Sequence, residues 1–177
     1  MHRSIESARL RERLVALTRD FVLIPSSSER PGELQRALHW VRNHLESLED
    51  VTIGLFESNG VTSLVSRSNG ETPIDVLVCA HIDVVHHPDP ELYTSQLRGS
   101  RILGPGTGDM KGIVAILLEL FRHFHLQSPG IALGLAITAD EEQGGENGTR
   151  ALFEDFGLRC EVAMVPDGGS PEDVVVE

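Results

Sequence analysis

Ile5, Leu10, Leu14, Leu17 and Phe21 recur at helical spacing with charged residues between them, which predicts an amphipathic helix that stops near Pro25. The turn-rich segment PSSSERPGE follows. Leu34, Leu38, Val41, Leu45 and Leu48 then mark a second helix, whose start Pro31 suits. After it the pattern changes to short runs rich in β-branched residues. VTIGLF (51–56), VTSLVS (61–66), IDVLVCA (74–80), IALGLAIT (131–138) and EVAMVP (161–166) predict five strands. KGIVAILLELFRHF (111–124), between the third and fourth, is apolar nearly all round and predicts a well-buried helix. Strands alternating with helices predict an α/β fold: a mixed, mostly parallel sheet with helices on both faces and some antiparallel pairing early in the chain. No repeat or linker divides residues 1–177, which read as one domain.

Charge narrows the possible partners. Fifteen Lys and Arg stand against 27 Asp and Glu, a formal net charge of −12, which disfavours nucleic acid and anionic membranes and favours a bound cation. Cys79 and Cys160 lack C-x-x-C spacing and suggest neither a disulfide framework nor a cysteine metal site; both are expected reduced in apolar strands. The first 14 residues lack the apolar core of a signal peptide, and no apolar run is long enough to span a bilayer, so a cytoplasmic location is expected.

In open α/β sheets ligands bind at the carboxyl ends of the strands. Just past three of the predicted strands the chain carries HID, ADEE and PDGG. His81 and Asp83, two apart in an extended segment, share a face, and a nearby carboxylate can fix the tautomer of a metal-binding imidazole. His86 and His87 fall in the following loop, where solvent exposure is expected. GPGTGDMKG (104–112) brings Asp109 to the start of the apolar helix. Its spacing is not that of a phosphate loop, and Asp109 would repel phosphate while attracting a metal. In TADEEQGG (138–145) three acids follow a strand, and Asp167 follows another. One histidine and several carboxylates converging on the strand ends suit a zinc-type divalent ion with mixed N and O ligands.

The order HIDVV, GTGDMKG, TADEEQGG and PDGGS resembles the metallopeptidase M20 family, from IPSSS near residue 24 to the last residue. The family includes acetylornithine deacetylase, succinyl-diaminopimelate desuccinylase, aminoacylase-1, carboxypeptidase G2 and related dipeptidases. The resemblance implies that residues 1–177 are the N-terminal portion of a single zinc-peptidase-like catalytic domain, and it implies hydrolysis of an amide bond in a small peptide or N-acyl amino acid. It implies two Zn2+ per complete site, with Co2+ or Mn2+ as substitutes. It makes His81 a ligand to one metal, Asp83 the carboxylate that orients it, and Asp109 the bridging carboxylate, often followed in the family by a cis peptide bond. Glu141 matches the general base, Glu142 a ligand to the second metal, and Asp167 a ligand to the metal that His81 binds. Asp140 matches no metal role and is expected to support its loop.

The family chain is usually at least twice as long. It inserts a lid or dimerisation domain after the position of Asp167, then returns to complete the sheet and supply a last histidine. His2, His39, His44, His123 and His125 match no such position, so weak second-metal binding, little turnover by these 177 residues and exposed apolar surface are expected. A homodimer is expected of the complete family chain. Two other classes are compatible with parts of the sequence: a catalytically inactive metal-binding or scaffold module of the same fold, against which Glu141 argues, and a phosphate-binding module.

Overall fold

The computed structural model describes residues 2–68, 73–128 and 130–168. Helices α1 (His2–Val22) and α2 (Pro31–Glu46) come first, then strands β1 (Thr52–Ser58), β2 (Val61–Arg67) and β3 (Ile74–His81). A small hairpin, β4 (Gln96–Arg98) and β5 (Arg101–Leu103), precedes α3 (Gly112–Gln127). Strand β6 (Leu133–Thr138), the short helix α4 (Ala151–Glu154) and β7 (Cys160–Met164) complete the order. All five strands read from the sequence form. The β4–β5 hairpin was not foreseen, because two three-residue strands with mostly exposed side chains leave no hydrophobic alternation to read.

The main sheet has the order β1-β2-β6-β3-β7. β6, β3 and β7 run parallel, and the β1–β2 hairpin joins them antiparallel through β2. The hairpin turns at Asn59-Gly60, both at positive φ (46° and 83°), the backbone that a tight primed turn requires.

Alternation along the strands sends successive side chains to opposite faces. Leu64, Leu135 and Ile137 meet α1, α2 and α3 through Phe21, Val41, Leu45, Val114 and Phe121. Val65, Ala136 and Leu77 face the other way and meet Leu152 and Leu158, around α4. Helices therefore lie on both faces, three against one. Phe21 and Trp40 stack with ring centroids 4.3 Å apart and lock α1 to α2.

α3 departs from the expectation of full burial: Ile116, Leu120, Phe124 and Leu126 are exposed, as are Val162, Met164 and Val165 at the β7 edge. Among the described residues nothing packs over this side. An apolar groove lined by Val76, Val78, Leu120, Phe124, Ile131 and Met164 runs between α3 and the strands. Cys79 and Cys160 are free thiols in β3 and β7, as read from the sequence. Among the described residues no helix is long and apolar enough to cross a membrane.

Candidate metal centre

Because β6, β3 and β7 are parallel neighbours, their carboxyl ends open on one edge. His81 is the last residue of β3, Glu141 and Glu142 lie just past β6, and Asp167 lies just past β7. Asp109 reaches the same edge from the loop before α3, and its peptide bond to Met110 is cis.

His81 is 1% exposed and organises the site. Its Nε2 lies 2.9 Å from Asp109 Oδ1, 3.6 Å from Asp167 Oδ2 and 3.7 Å from Glu141 Oε2. On its other side Nδ1 is 3.1 Å from the Asp83 carbonyl oxygen and 3.3 Å from Asp83 Oδ1. Burial on its own lowers the affinity of the ring for a proton. The hydrogen bond to Asp83 and the charges of Asp83, Glu141 and Asp109 outweigh it and push the pKa up to about 9.

Asp83 is wholly buried and joins two arms of the site. Besides flanking the imidazole, its Oδ2 accepts a hydrogen bond of 2.9 Å from the Glu142 amide. The His-x-Asp spacing suggested the first contact; the second depends on the sheet bringing β6 beside β3 and has no local signature.

The ligand atoms of His81, Glu141 and Asp167 lie within 4.8 Å of one another. Among the described residues this group includes Glu141 and not Glu142. The Glu142 carboxyl is pushed above its usual range by partial burial and by the charge of Asp109, with Asp83 and Glu141 adding to the effect. Carboxylates gathered around one imidazole repel one another unless a cation sits among them, and one nitrogen with several oxygens is a donor set that fits a divalent ion of the zinc type. A cavity of about 420 Å³ opens beside them, lined by His81, Met110, Glu141, Thr149, Arg150 and Asp167.

Asp140 turns away from this cluster. Its Oδ2 accepts the amides of Asn147 (2.8 Å) and Gly148 (3.0 Å), and its carbonyl accepts those of Gln143 and Gly145. It closes the loop that carries Glu141 and Glu142, the supporting part that the sequence suggested.

Asp109 does not cap α3, whose N-cap position, Lys111, makes no side-chain capping bond. Met110 and Lys111 are fully buried behind Asp109, and Met110 Sδ accepts the His81 amide at 3.3 Å. No residue-level signal marks these contacts, since lysine is almost never fully buried. His87 is exposed as expected, but His86 is half-buried. The reason is packing of the two loops: His86 Nδ1 is 2.9 Å from Ser27 Oγ, and Nε2 is 3.5 Å from Glu29 Oε2. Gly169 and Ser170 of the PDGGS motif, and the PEDVVVE segment after it, lie outside the described residues.

Residues 77–176 match the model of peptidase family M20/M25/M40. The chain is 33% identical over 131 residues to a succinyl-diaminopimelate desuccinylase of Dechloromonas aromatica, covering 70% of this chain and 34% of that protein. It is 30% identical over 171 residues to the desuccinylase of Rhodospirillum centenum, covering 89% and 43%. The chain thus spans less than half the length of these relatives. Its fold is similar to that of an M20 family metallo-carboxypeptidase from Sulfolobus solfataricus, with a TM-score of 0.72 at 19% identity over 88% of this chain and 37% of that one.

Proposed function

Because the chain belongs to peptidase family M20/M25/M40, we propose that it carries the metal-binding half of a dinuclear zinc amidohydrolase acting on N-acyl amino acids or small peptides. The observation that carries this reading is His81 Nε2 facing the carboxylates of Asp109, Asp167 and Glu141 at 2.9, 3.6 and 3.7 Å, at the carboxyl ends of three adjacent parallel strands. Two of the relatives are named succinyl-diaminopimelate desuccinylase, and this supports N-succinyl amino acids as the first substrates to test.

In this reading His81, Asp109, Glu142 and Asp167 hold the ions. When bound, zinc supplies acidification of a water molecule and polarisation of the amide carbonyl. Asp83 keeps the His81 ring in the orientation that turns Nε2 toward the ions, and through the Glu142 amide it holds the following arm in register. Glu141, half-exposed at the mouth of the cavity, is free to take a proton from water and deliver it to the leaving amine. Val165 and Met110 contribute apolar surface to the cavity wall.

A second reading makes Glu141 a ligand, because its carboxylate groups with His81 and Asp167 within 4.8 Å. Titration of zinc against a chromophoric chelator, alongside an N-succinyl amino acid assay run on a chain extended to the length of its relatives, separates the two. As general base, Glu141→Gln keeps zinc affinity within about threefold and removes hydrolysis; as ligand, it lowers zinc affinity by about tenfold or more. Failure of His81→Ala to weaken zinc binding refutes both.

A further inference from the structure

Asp109 is the most exposed member of the cluster, with 67% of its side chain open, and among the described residues its carboxylate has one partner, His81. Such a side chain does not fix itself; its position comes from the backbone behind it. That backbone is held at two points. Met110 Sδ takes the amide of His81, and Lys111 sends its side chain inward, wholly buried, to donate from Nζ to the carbonyl of Ile24. Lys111 Nζ also sits 5.4 Å above the ring of Phe21.

The Ile24–Ser27 connection between α1 and α2 grips the β3 exit as well. Ser26 Oγ donates to the carbonyl of Ile82 at 2.6 Å, and the amide of Val84 donates to the carbonyl of Ser26 at 2.9 Å. Ile82 lies between His81 and Asp83. One short connection therefore touches both the segment that presents His81 and, through Lys111, the loop that presents Asp109. The interval is filled tightly: a Cβ added at Gly106 would stand 2.5 Å from Val84 Cγ1 and 3.3 Å from Lys111 Cδ.

Burying an amine with one hydrogen-bond acceptor is unfavourable, and an apolar chain of similar length would fill the space more cheaply. What the amine adds is direction: a donor aimed at the Ile24 carbonyl. We infer that Lys111 is a positioning residue of the metal centre, tying the Asp109 loop to the Ile24–Ser27 connection so that Asp109 meets His81. The inference rests on the zinc reading above.

Its test is a cycle of zinc affinities for the unaltered chain, Lys111→Met, Asp109→Asn and the double variant, with zinc alone as probe and the thermal midpoint of each metal-free protein recorded. Lys111→Met is expected to keep or raise the midpoint, because a buried polar group is replaced by an apolar one, while zinc affinity falls about tenfold. In the Asp109→Asn background Lys111→Met is expected to change affinity less than about twofold, since the loop then has no carboxylate to place. An equal loss in both backgrounds, or no loss, overturns the inference while the zinc reading stands. An unaltered chain that takes up no zinc overturns both. Should Lys111→Met not fold, the same cycle with Lys111→Leu, which likewise has no donor, decides by the same criterion.

Discussion

Gly148 lies in a helical turn with no positive φ, where replacing glycine by alanine ordinarily stabilises by about 0.5–1 kcal/mol. Here the sign reverses. An added Cβ meets Asp140 Oδ1 at 2.1 Å and Thr138 Cβ at 2.9 Å. Asp140 is only 5% exposed, so its carboxylate has little room to retreat, and any retreat releases the amides of Asn147 and Gly148 from Oδ2. Hydrogen bonds to a charged group contribute roughly 1.5–3 kcal/mol each, so losing most of both predicts a destabilisation of about 3–5 kcal/mol for Gly148→Ala. Urea unfolding of the metal-free chain measures it directly. The mechanism makes a sharper claim through Asp140→Ala: with the carboxylate gone only the approach to Thr138 Cβ remains, so Gly148→Ala should cost at least about 2 kcal/mol less than in the unaltered chain. A neutral or stabilising Gly148→Ala, or effects that add within about 0.5 kcal/mol, refutes the packing argument.

Asp83→Asn is expected to lower zinc affinity about 10- to 100-fold, because one amide oxygen cannot serve both the His81 ring and the Glu142 amide; chelator competition measures it, and unchanged affinity sinks the claim that the carboxylate holds both arms. Zinc uptake must displace the proton that metal-free His81 retains up to about pH 9. Below that pH the free state holds a proton that the bound state lacks, so apparent affinity rises by about tenfold per pH unit and levels off above it, with proton release visible as buffer-dependent calorimetric heat. Leu135→Ala, in the core at 1% exposure, is expected to cost about 2–5 kcal/mol in denaturant while leaving the zinc affinity of the folded protein unchanged.

The fold was legible where a period was long enough to register. Leu34, Leu38, Val41 and Leu45 announced α2, and the β-branched runs announced every strand of the main sheet. The candidate site was legible in its residue types, because His81, Glu141 and Asp167 fall just beyond apolar runs, where one rule about strand ends selects them, while the Gly-rich loop before α3 singles out Asp109. What stayed hidden was whatever depends on two distant segments meeting. The Asp83 bond to the Glu142 amide needs β3 and β6 side by side, and the burial of Lys111 needs the Ile24 carbonyl to arrive from the connection between α1 and α2, 87 residues earlier. The even apolar coating of α3 was misread for the same reason: composition reports how much surface prefers to be covered, whereas the described neighbours determine how much is.

The order β6-β3-β7 has a kinetic consequence. Each parallel pairing closes a long crossover, and such contacts form late because loop closure precedes any reward. His81, Glu141 and Asp167 come within reach of one cation only once both crossovers are in register, so the transition state for folding offers little to bind. Zinc is therefore expected to leave the refolding rate almost unchanged and to slow escape from the native state, acting as a latch on a finished structure and not as a template for building it.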